Sequence, residues 1–184
     1  MNTPTIIIDT REQIPYEFQG VMTERRALPA GDYSVEGMET SIAVERKSLD
    51  DFVKSVISDR RRFGLELTKL AEYAHSCVVV EGNLSDILSG SYRSGAHPAS
   101  VFGALISIVV NKGIPVIPCS NRQIARAFTE HFLIAAAECL RKTIGPERRR
   151  KDRTEPETAE TGCKAKERQT KAAHGAGGET EHSH

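Results

Sequence analysis

The chain has 184 residues, 39% of them hydrophobic, with 25 basic and 25 acidic side chains and no net charge. This length suits one globular domain, and the balanced charge means that a nucleic-acid partner would have to be met by a local patch. Four scattered cysteines exclude a disulfide scaffold, no apolar run reaches the ~18 residues that span a bilayer, and no signal-peptide pattern is visible. We expect an intracellular protein that enters no membrane, in the cytoplasm or nucleoid of a prokaryote or the nucleus of a eukaryote.

The composition changes sharply at Gly145 and Pro146. The 40 residues that follow Ile144 contain no Val, Ile, Leu, Met, Phe, Tyr or Trp. Such a segment cannot bury enough apolar surface to offset the entropy lost on ordering it. We therefore predict a folded domain over residues 1–144 and a disordered charged tail over residues 145–184.

The first third of the domain has the pattern of β-strands. We predict strands at Thr5–Asp9, Met22–Leu28, Asp32–Glu36 and Ser41–Lys47. A Pro-Ala-Gly turn separates the second and third strands, so we expect these two to form a hairpin. Side chains two apart share a face of a strand, so Glu45 and Lys47 should point to one side and Arg46 to the other.

The rest of the domain alternates helices and strands. A helix should begin at Ser48 and a second one should bury Phe63, Leu67 and Leu70. Further elements are predicted as a strand at Cys77–Glu81, a helix at Ala99–Asn111, a strand at Ile114–Ile117 and a last helix that begins with a capping box of Ser120 and Gln123 and stops at Gly145–Pro146. Early hairpin strands followed by alternating elements predict an α/β fold, with a mixed central sheet flanked by helices.

Acidic residues concentrate where the predicted strands end. Asp9 follows the first strand, Asp32 follows a glycine-containing turn, and Glu45 lies on the fourth strand beside Lys47. If the three carboxylates converge, they repel one another unless a cation lies between them. Oxygen ligands of this kind favour Mg²⁺ or Mn²⁺ over zinc. The sequence therefore predicts a metal site made by Asp9, Asp32 and Glu45.

Three motifs occur in one order along the chain: Asp9-Thr10-Arg11-Glu12, then Gly31-Asp32-Tyr33, then Glu45-Arg46-Lys47-Ser48-Leu49-Asp50-Asp51. This order resembles that of the XPF/Hef-type structure-specific DNA endonuclease family, whose nuclease domain carries the same ERK-x3-D motif. The resemblance covers about Thr5 to Arg141 and implies a restriction-endonuclease-like fold. It also implies Mg²⁺-dependent (or Mn²⁺-dependent) hydrolysis of phosphodiester bonds in DNA.

The resemblance implies a role for each residue of the three motifs. Asp32 and Glu45, with Asp9, would hold the metal ion, and Lys47 would orient or activate the attacking water. Arg11 and Arg46 would contact phosphate oxygens or, alternatively, hold carboxylates in place by bidentate pairing. The implied catalytic set is Asp9, Arg11, Asp32, Glu45, Arg46, Lys47 and Asp51, with Glu12 as a supporting acid.

Simpler explanations exist for the same residues taken singly. Asp32 suits a turn, Asp9 suits a strand end, and Asp51 lies three residues after Ser48, which is the spacing of a helix capping box. Glu45 and Arg46 could form an ordinary ion pair at a strand edge. The joint occurrence of the motifs in the family's order favours a nuclease site over these readings.

Three arginines, Arg60, Arg61 and Arg62, open the second helix, where cations oppose the helix dipole. Contact with DNA phosphates would offset that cost, although a solvated basic face between helices explains the same residues. We predict a DNA-binding role for them.

The leading hypothesis is a metal-dependent endonuclease that acts on branched or flap-like DNA, or DNA with single-stranded segments, in repair, recombination or replication. The alternatives are a non-catalytic DNA-binding or scaffold subunit of the same fold and a degradative or restriction-type nuclease. Nuclease domains of the family pair through their later helices, so the resemblance also implies a homodimer or heterodimer. Burial in the monomer core is the other explanation for the apolar residues of those helices.

Overall fold

A computed structural model describes residues 3–151 of the chain. Its elements in chain order are β1 (Ile6–Asp9), β2 (Thr23–Arg26), β3 (Tyr33–Val35), β4 (Ile42–Ser48), α1 (Leu49–Ile57), α2 (Arg60–Leu70), β5 (His75–Glu81), α3 (Leu84–Ser89), α4 (Pro98–Lys112), β6 (Val116–Cys119) and α5 (Arg122–Lys151). The six strands form one mixed sheet with helices on both faces, which confirms the predicted α/β class. The predicted elements are all present, and α3 is an additional short helix.

The strand order in the sheet is β2-β1-β3-β4-β5-β6. β1 pairs in parallel with β2 and antiparallel with β3, which is itself antiparallel to β4. β4, β5 and β6 are parallel to one another. The carboxyl ends of β1 and β4 and the start of β3 therefore lie at the same edge of the sheet.

The predicted hairpin of β2 and β3 is wrong, because β1 lies between them. Ile6, Ile7 and Ile8 of β1 are buried, as suits a central strand, whereas β2 is exposed and suits an edge. The turn that was expected to close the hairpin instead passes the end of β1, where the backbone N–H of Asp9 donates to the carbonyl of Asp32 at 2.8 Å. The buried isoleucines thus favour a position for β1 inside the sheet, between β2 and β3.

Each face of the sheet carries its own hydrophobic core. On one face Ala43, Val78 and Val80 pack against α1, α2 and α4, and on the other Val44 and Val79 pack against α5. The alternation along β4 follows the predicted period of two.

The ends of α5 differ from the prediction. The side chain of Asn121, and not that of Ser120, caps its start, since Asn121 Oδ1 accepts a hydrogen bond of 2.9 Å from the N–H of Ile124. The helix does not stop at Gly145–Pro146 but continues to Lys151. The stop was expected because a proline inside a helix removes one backbone donor and its ring crowds the preceding turn. The remainder of the predicted tail lies outside the described residues.

Within residues 3–151, no helix is both long and apolar enough to cross a membrane.

Candidate active site

A cleft of about 340 Å³, lined by both acidic and basic side chains, opens at the end of the sheet where β1 and β4 end and β3 begins. Six of the residues that line it are Glu12, Asp32, Glu45, Lys47, Asp51 and Arg62. A smaller cavity of about 230 Å³ adjoins it, and Arg11, Asp32 and Glu45 line both. The cleft therefore brings together residues from all three motifs and from α2.

The position of Asp32 depends on the glycine before it. Gly31 has a φ of +74°, and a Cβ atom there would lie 3.0 Å from the carbonyl oxygen of Val44 on β4. Only glycine fits this close approach without strain. The approach lets the N–H of Asp32 donate to Val44 at 2.8 Å, and Asp32 Oδ2 accepts from the N–H of Arg46 at 2.7 Å. The Gly-Asp motif thus places the carboxylate of Asp32 against β4.

Asp32 and Glu45 share an electrostatically unfavourable environment. Burial, followed by the negative charge of Glu45, raises the pKa of Asp32 to about 8. Burial also raises the pKa of Glu45, against the opposing effect of Lys47. Two desolvated carboxylates that repel each other are stabilised by a cation placed between them.

Lys47 lies beside Glu45, as the strand period predicts. Its Nζ donates to Glu45 Oε1 at 2.8 Å and lies 4.7 Å from the ring centroid of Phe63 and 4.0 Å from Glu66 Oε2. Burial alone would lower the pKa of this ammonium group, but the charge and hydrogen bond of Glu45 outweigh burial and raise the pKa. Lys47 is therefore a cation held at the base of the cleft.

Asp9 is the predicted metal ligand that the structure does not place with the other two. Its Oδ1 accepts from the backbone N–H and Nε of Arg11 at 2.7 and 2.8 Å, and its Oδ2 accepts from Arg11 Nη2 at 2.9 Å and from the N–H of Leu28 at 2.7 Å. Burial alone would raise the pKa of Asp9, but these bonds outweigh it and hold the pKa below its usual range. Four donors leave no oxygen lone pair directed at a metal ion.

Glu12, which was expected to be a supporting acid, lines the cleft in place of Asp9. Its Oε1 accepts from the N–H of Ile14 at 2.7 Å and lies 3.6 Å from Arg46 Nη1. The negative charge of Glu12 contributes to the raised pKa values of Asp32 and Glu45. The motif that begins at Asp9 thus supplies the cleft with the carboxylate of Glu12.

The two motif arginines hold carboxylates. Arg11 forms the bidentate pair with Asp9, and Arg46 forms another with Glu81, through two bonds of 2.8 Å. Of the two roles expected for these residues, carboxylate positioning is the one that the geometry supports. Because Arg46 points away from Lys47, its pairing with Glu81 occurs on the opposite side of β4.

Asp51 combines its two expected roles. It is the third residue of α1, where its N–H donates to Ser48 Oγ at 3.2 Å and its Oδ2 accepts from the same hydroxyl at 2.6 Å. Ser48 thus caps the helix as the spacing predicted, although Asp51 bonds the Ser48 hydroxyl and not its backbone N–H, as a full capping box would require. The side chain is nevertheless exposed and lines the cleft.

The three arginines of α2 are all exposed but point to different places. Arg62 lines the cleft. Its Nη2 lies 3.7 Å from Asp59 Oδ2, and its Nε lies 3.9 Å from Glu66 Oε1. Arg60 lines a separate groove between α2 and α4. The first turn of α2 contains no acidic residue, so these cations make the start of the helix a basic patch, in which Asp59 and Glu66 partly offset the charge of Arg62.

Sequence reasoning missed Glu66 and Glu81. Glu66 belongs to no motif, and only the tertiary packing of α2 brings it towards Lys47. Glu81 ends a predicted strand, and the general tendency of polar groups to cluster at the carboxyl ends of parallel strands was the signal that could have found it.

The donor set of the cleft fits a hard divalent cation of the Mg²⁺ type. Among the described residues, no group of three His, Cys, Asp or Glu side chains is arranged to hold a metal ion. Mg²⁺ is commonly held by only one or two carboxylates, together with water and substrate phosphate oxygens. Asp32 and Glu45 match this smaller set, since one oxygen of each carboxylate accepts no hydrogen bond within the described part of the chain.

Residues 8–132 match the family model of the ERCC4 domain. The chain belongs to this XPF-type nuclease family. XPF from Aeropyrum pernix is similar in structure, with a TM-score of 0.60 and 26% identity over 77% of this chain and 69% of that one. XPF from the same organism in complex with DNA gives a TM-score of 0.58 and 26% identity, covering 73% of this chain and 66% of that one. These likenesses confirm the restriction-endonuclease-like fold.

A curated relative is a protein of Methanocaldococcus jannaschii that is assigned by name as an ATP-dependent RNA helicase. It is 32% identical over 138 residues, which are 72% of this chain. The matched segment spans only 15% of that protein.

Proposed function

We propose that the protein is a metal-dependent endonuclease that hydrolyses phosphodiester bonds in branched or flap-like DNA. The observation that carries the proposal is the meeting of Asp32, Glu45 and Lys47 in one cleft, with Lys47 Nζ 2.8 Å from Glu45. A pair of carboxylates next to a lysine combines a cation site with a positive group that faces phosphate. Membership of the ERCC4 domain family supports the same assignment.

Asp32 and Glu45 would hold Mg²⁺ or Mn²⁺. When bound, such an ion lowers the pKa of a coordinated water and stabilises negative charge on the phosphate. Glu12 adds negative potential to the cleft, and Asp51 lies at its rim, where it can accept a hydrogen bond from a water molecule. Asp9 and Arg11 would act indirectly, by fixing the turn that carries Glu12.

Lys47 would orient the attacking water and counter the charge that develops on the phosphate. Its contacts with Glu45 and the Phe63 ring restrict its position, so little reorganisation is needed during the reaction. Its raised pKa keeps it protonated at neutral pH, which favours an electrostatic role over that of a general base.

DNA is the proposed partner, in the setting of repair, recombination or replication inside the cell. The basic patch of Arg60, Arg61 and Arg62 suits contact with the phosphate backbone of DNA beside the cleft. The likeness to XPF from Aeropyrum pernix in complex with DNA supports this choice.

A homodimer or heterodimer through the later helices is part of the proposal. Val110 of α4 is 73% exposed and Ile106 is 44% exposed, and Ile124 of α5 is 51% exposed. The two helices cover opposite faces of the sheet and both contact the edge strand β6, so their exposed apolar side chains would suit an interface with another chain at that edge.

The test is a cleavage assay on labelled flap, fork, four-way junction and plain duplex DNA, with Mg²⁺, Mn²⁺ or EDTA. We expect cutting of the branched substrates only when a divalent cation is present. Cutting in EDTA would contradict the metal-dependent mechanism, and strong cutting of plain duplex would favour a degradative nuclease. Salt-sensitive DNA binding without cleavage under any metal would favour a non-catalytic subunit.

A further inference from the structure

Arg122, the first residue of α5, joins segments that are far apart in the sequence. Its Nη1 donates to Glu81 Oε1 at 2.9 Å, and its Nη2 donates to the carbonyl oxygens of Ile14 and Pro15 at 2.6 and 2.9 Å. Its guanidinium carbon lies 4.8 Å from the ring centroid of Tyr16. One side chain therefore ties the end of β5 to the turn that follows the first motif.

Glu81 links Arg122 to the residues of the cleft. The carboxylate that accepts from Arg122 also forms the bidentate pair with Arg46. The backbone N–H of Arg46 in turn donates to the carboxylate of Asp32 at 2.7 Å, and its side chain lies 3.6 Å from Glu12. A displacement of Glu81 would therefore move Arg46 relative to Asp32 and Glu12.

The turn held by Arg122 is the one that positions Glu12. Glu12 accepts from the N–H of Ile14, so its carboxylate and the Ile14–Pro15 backbone move together. Arg25 fixes the other side of the same turn through a bond of 2.6 Å to the carbonyl of Glu12. The turn is thus held between two arginines, of which Arg122 is the one that also reaches Glu81.

The surroundings make these contacts stronger than surface ion pairs. The side chains of Glu81 and Arg46 are only 12% and 13% exposed. The ring of Tyr16 lies against the guanidinium groups of Arg46 and Arg122. The Tyr16 hydroxyl is buried near Glu81, whereas the Arg122 side chain is itself 37% exposed. Charge-assisted bonds in such a partly desolvated place restrict motion more than exposed pairs do.

We propose that Arg122 is a positioning residue, which holds Glu12 and Arg46 at the cleft through Glu81 and the Ile14–Pro15 turn. The effect on cleavage rests on the proposed nuclease function, whereas the effect on the turn does not. α5 thereby becomes part of the active-site support and not only a covering helix of the sheet.

The test compares Arg122→Gln with Arg126→Gln, which removes a charge from the same helix and breaks only the Arg126–Glu130 pair. In single-turnover assays with Mg²⁺ and flap DNA, we expect Arg122→Gln to lower the maximal rate about tenfold, because displacement of active-site groups by a fraction of an ångström suffices for that loss. The DNA concentration at half-maximal rate should change less than about twofold. Arg126→Gln should match the wild type, and Arg122→Lys should recover part of the rate.

Hydrogen–deuterium exchange supplies a readout that does not depend on catalysis. We expect the amides of Glu12, Gln13, Ile14 and Tyr16 to exchange faster in Arg122→Gln than in the wild type and to exchange at the wild-type rate in Arg126→Gln. If the wild type cuts no DNA, the proposed function fails while the exchange still tests the Arg122 contacts. Unchanged exchange, faster exchange without loss of rate, or equal losses in both variants would each overturn the positioning role.

Discussion

Asp9 and Asp32 lie at the same edge of one sheet, yet their environments are opposite. Asp9 accepts four hydrogen bonds from Arg11 and Leu28, and its pKa is lowered. Asp32 is desolvated beside Glu45, and its pKa is raised to about 8. The first carboxylate is satisfied by the protein, whereas the ionised form of the second is disfavoured by its surroundings and would suit the proposed cation. Two acids of one family motif set can therefore serve stability and chemistry separately.

The largest expected effect is on activity, and it distinguishes the surroundings of Asp32 from those of Asp9. Asp32→Ala and Glu45→Ala should each lower the cleavage rate by at least about 10³-fold, since each removes half of the proposed cation site. The thermal melting temperature of Asp32→Ala in EDTA should be equal to or above that of the wild type, because a repelling carboxylate is lost, whereas that of Glu45→Ala should be lower, because the largely buried Lys47 loses its partner. Activity of either variant within about tenfold of the wild type would contradict the assigned roles.

Lys47→Gln should come next, with a loss of about 10²-fold in the single-turnover rate, because an electrostatic contact to the reacting phosphate is removed. Asp50→Asn on the first turn of α1 provides a control, since Asp50 contacts Arg93 outside the cleft. The control should keep the wild-type rate. An equal loss in both variants would indicate a general structural effect of substitutions near the start of α1 and not a role of Lys47.

Asp9→Asn should show the converse of Asp32→Ala, with a loss of folding stability. The substitution turns one acceptor oxygen into a donor that faces Arg11 and the N–H of Leu28, at a residue that is 1% exposed. We expect a decrease of about 3 kcal/mol in the free energy of unfolding, measured by urea denaturation. A decrease below about 1 kcal/mol would show that these bonds contribute little.

The two carboxylates should also have opposite effects on pH dependence in EDTA. The lowered pKa of Asp9 contributes stability that is present above the unfolded-state pKa of ~3.9 and is lost as the pH falls through the folded-state value. The raised pKa of Asp32 contributes stability that is present below ~3.9 and is lost as the pH rises to about 8. Asp32→Asn should therefore flatten the decline of the melting temperature between about pH 4 and pH 8.

The smallest effect is expected for Arg62→Gln in the basic patch. Because the side chain is exposed, the loss of one phosphate contact should weaken DNA binding about threefold and reduce its dependence on salt concentration. Titrations at two salt concentrations measure both quantities. Binding that is unchanged at low salt would show that Arg62 does not contact DNA.

The sequence was sufficient for the elements near the motifs. The period of two along β4 correctly predicts that Glu45 and Lys47 share a side and that Arg46 points away, because backbone geometry alone decides it. The same reasoning predicts the helix cap made by Ser48 and Asp51. Local rules thus account for the side of the site that β4 and α1 supply.

Contacts between distant segments could not be predicted in the same way. Whether Asp9 or Glu12 enters the cleft depends on the N–H of Leu28, which is 19 residues away from Asp9. The parallel pairing of β1 with β2 and the bond between Glu81 and Arg122 likewise depend on the packed sheet. No periodicity records such bonds, because the groups meet only after the chain has folded.

Calorimetric titration of the protein with Mn²⁺ in the absence of DNA tests the shared cation site most directly. The wild type should bind the ion, Asp32→Asn and Glu45→Gln should each lose that binding, and Asp50→Asn should retain it. Binding that survives in both cleft variants would contradict a site made jointly by Asp32 and Glu45.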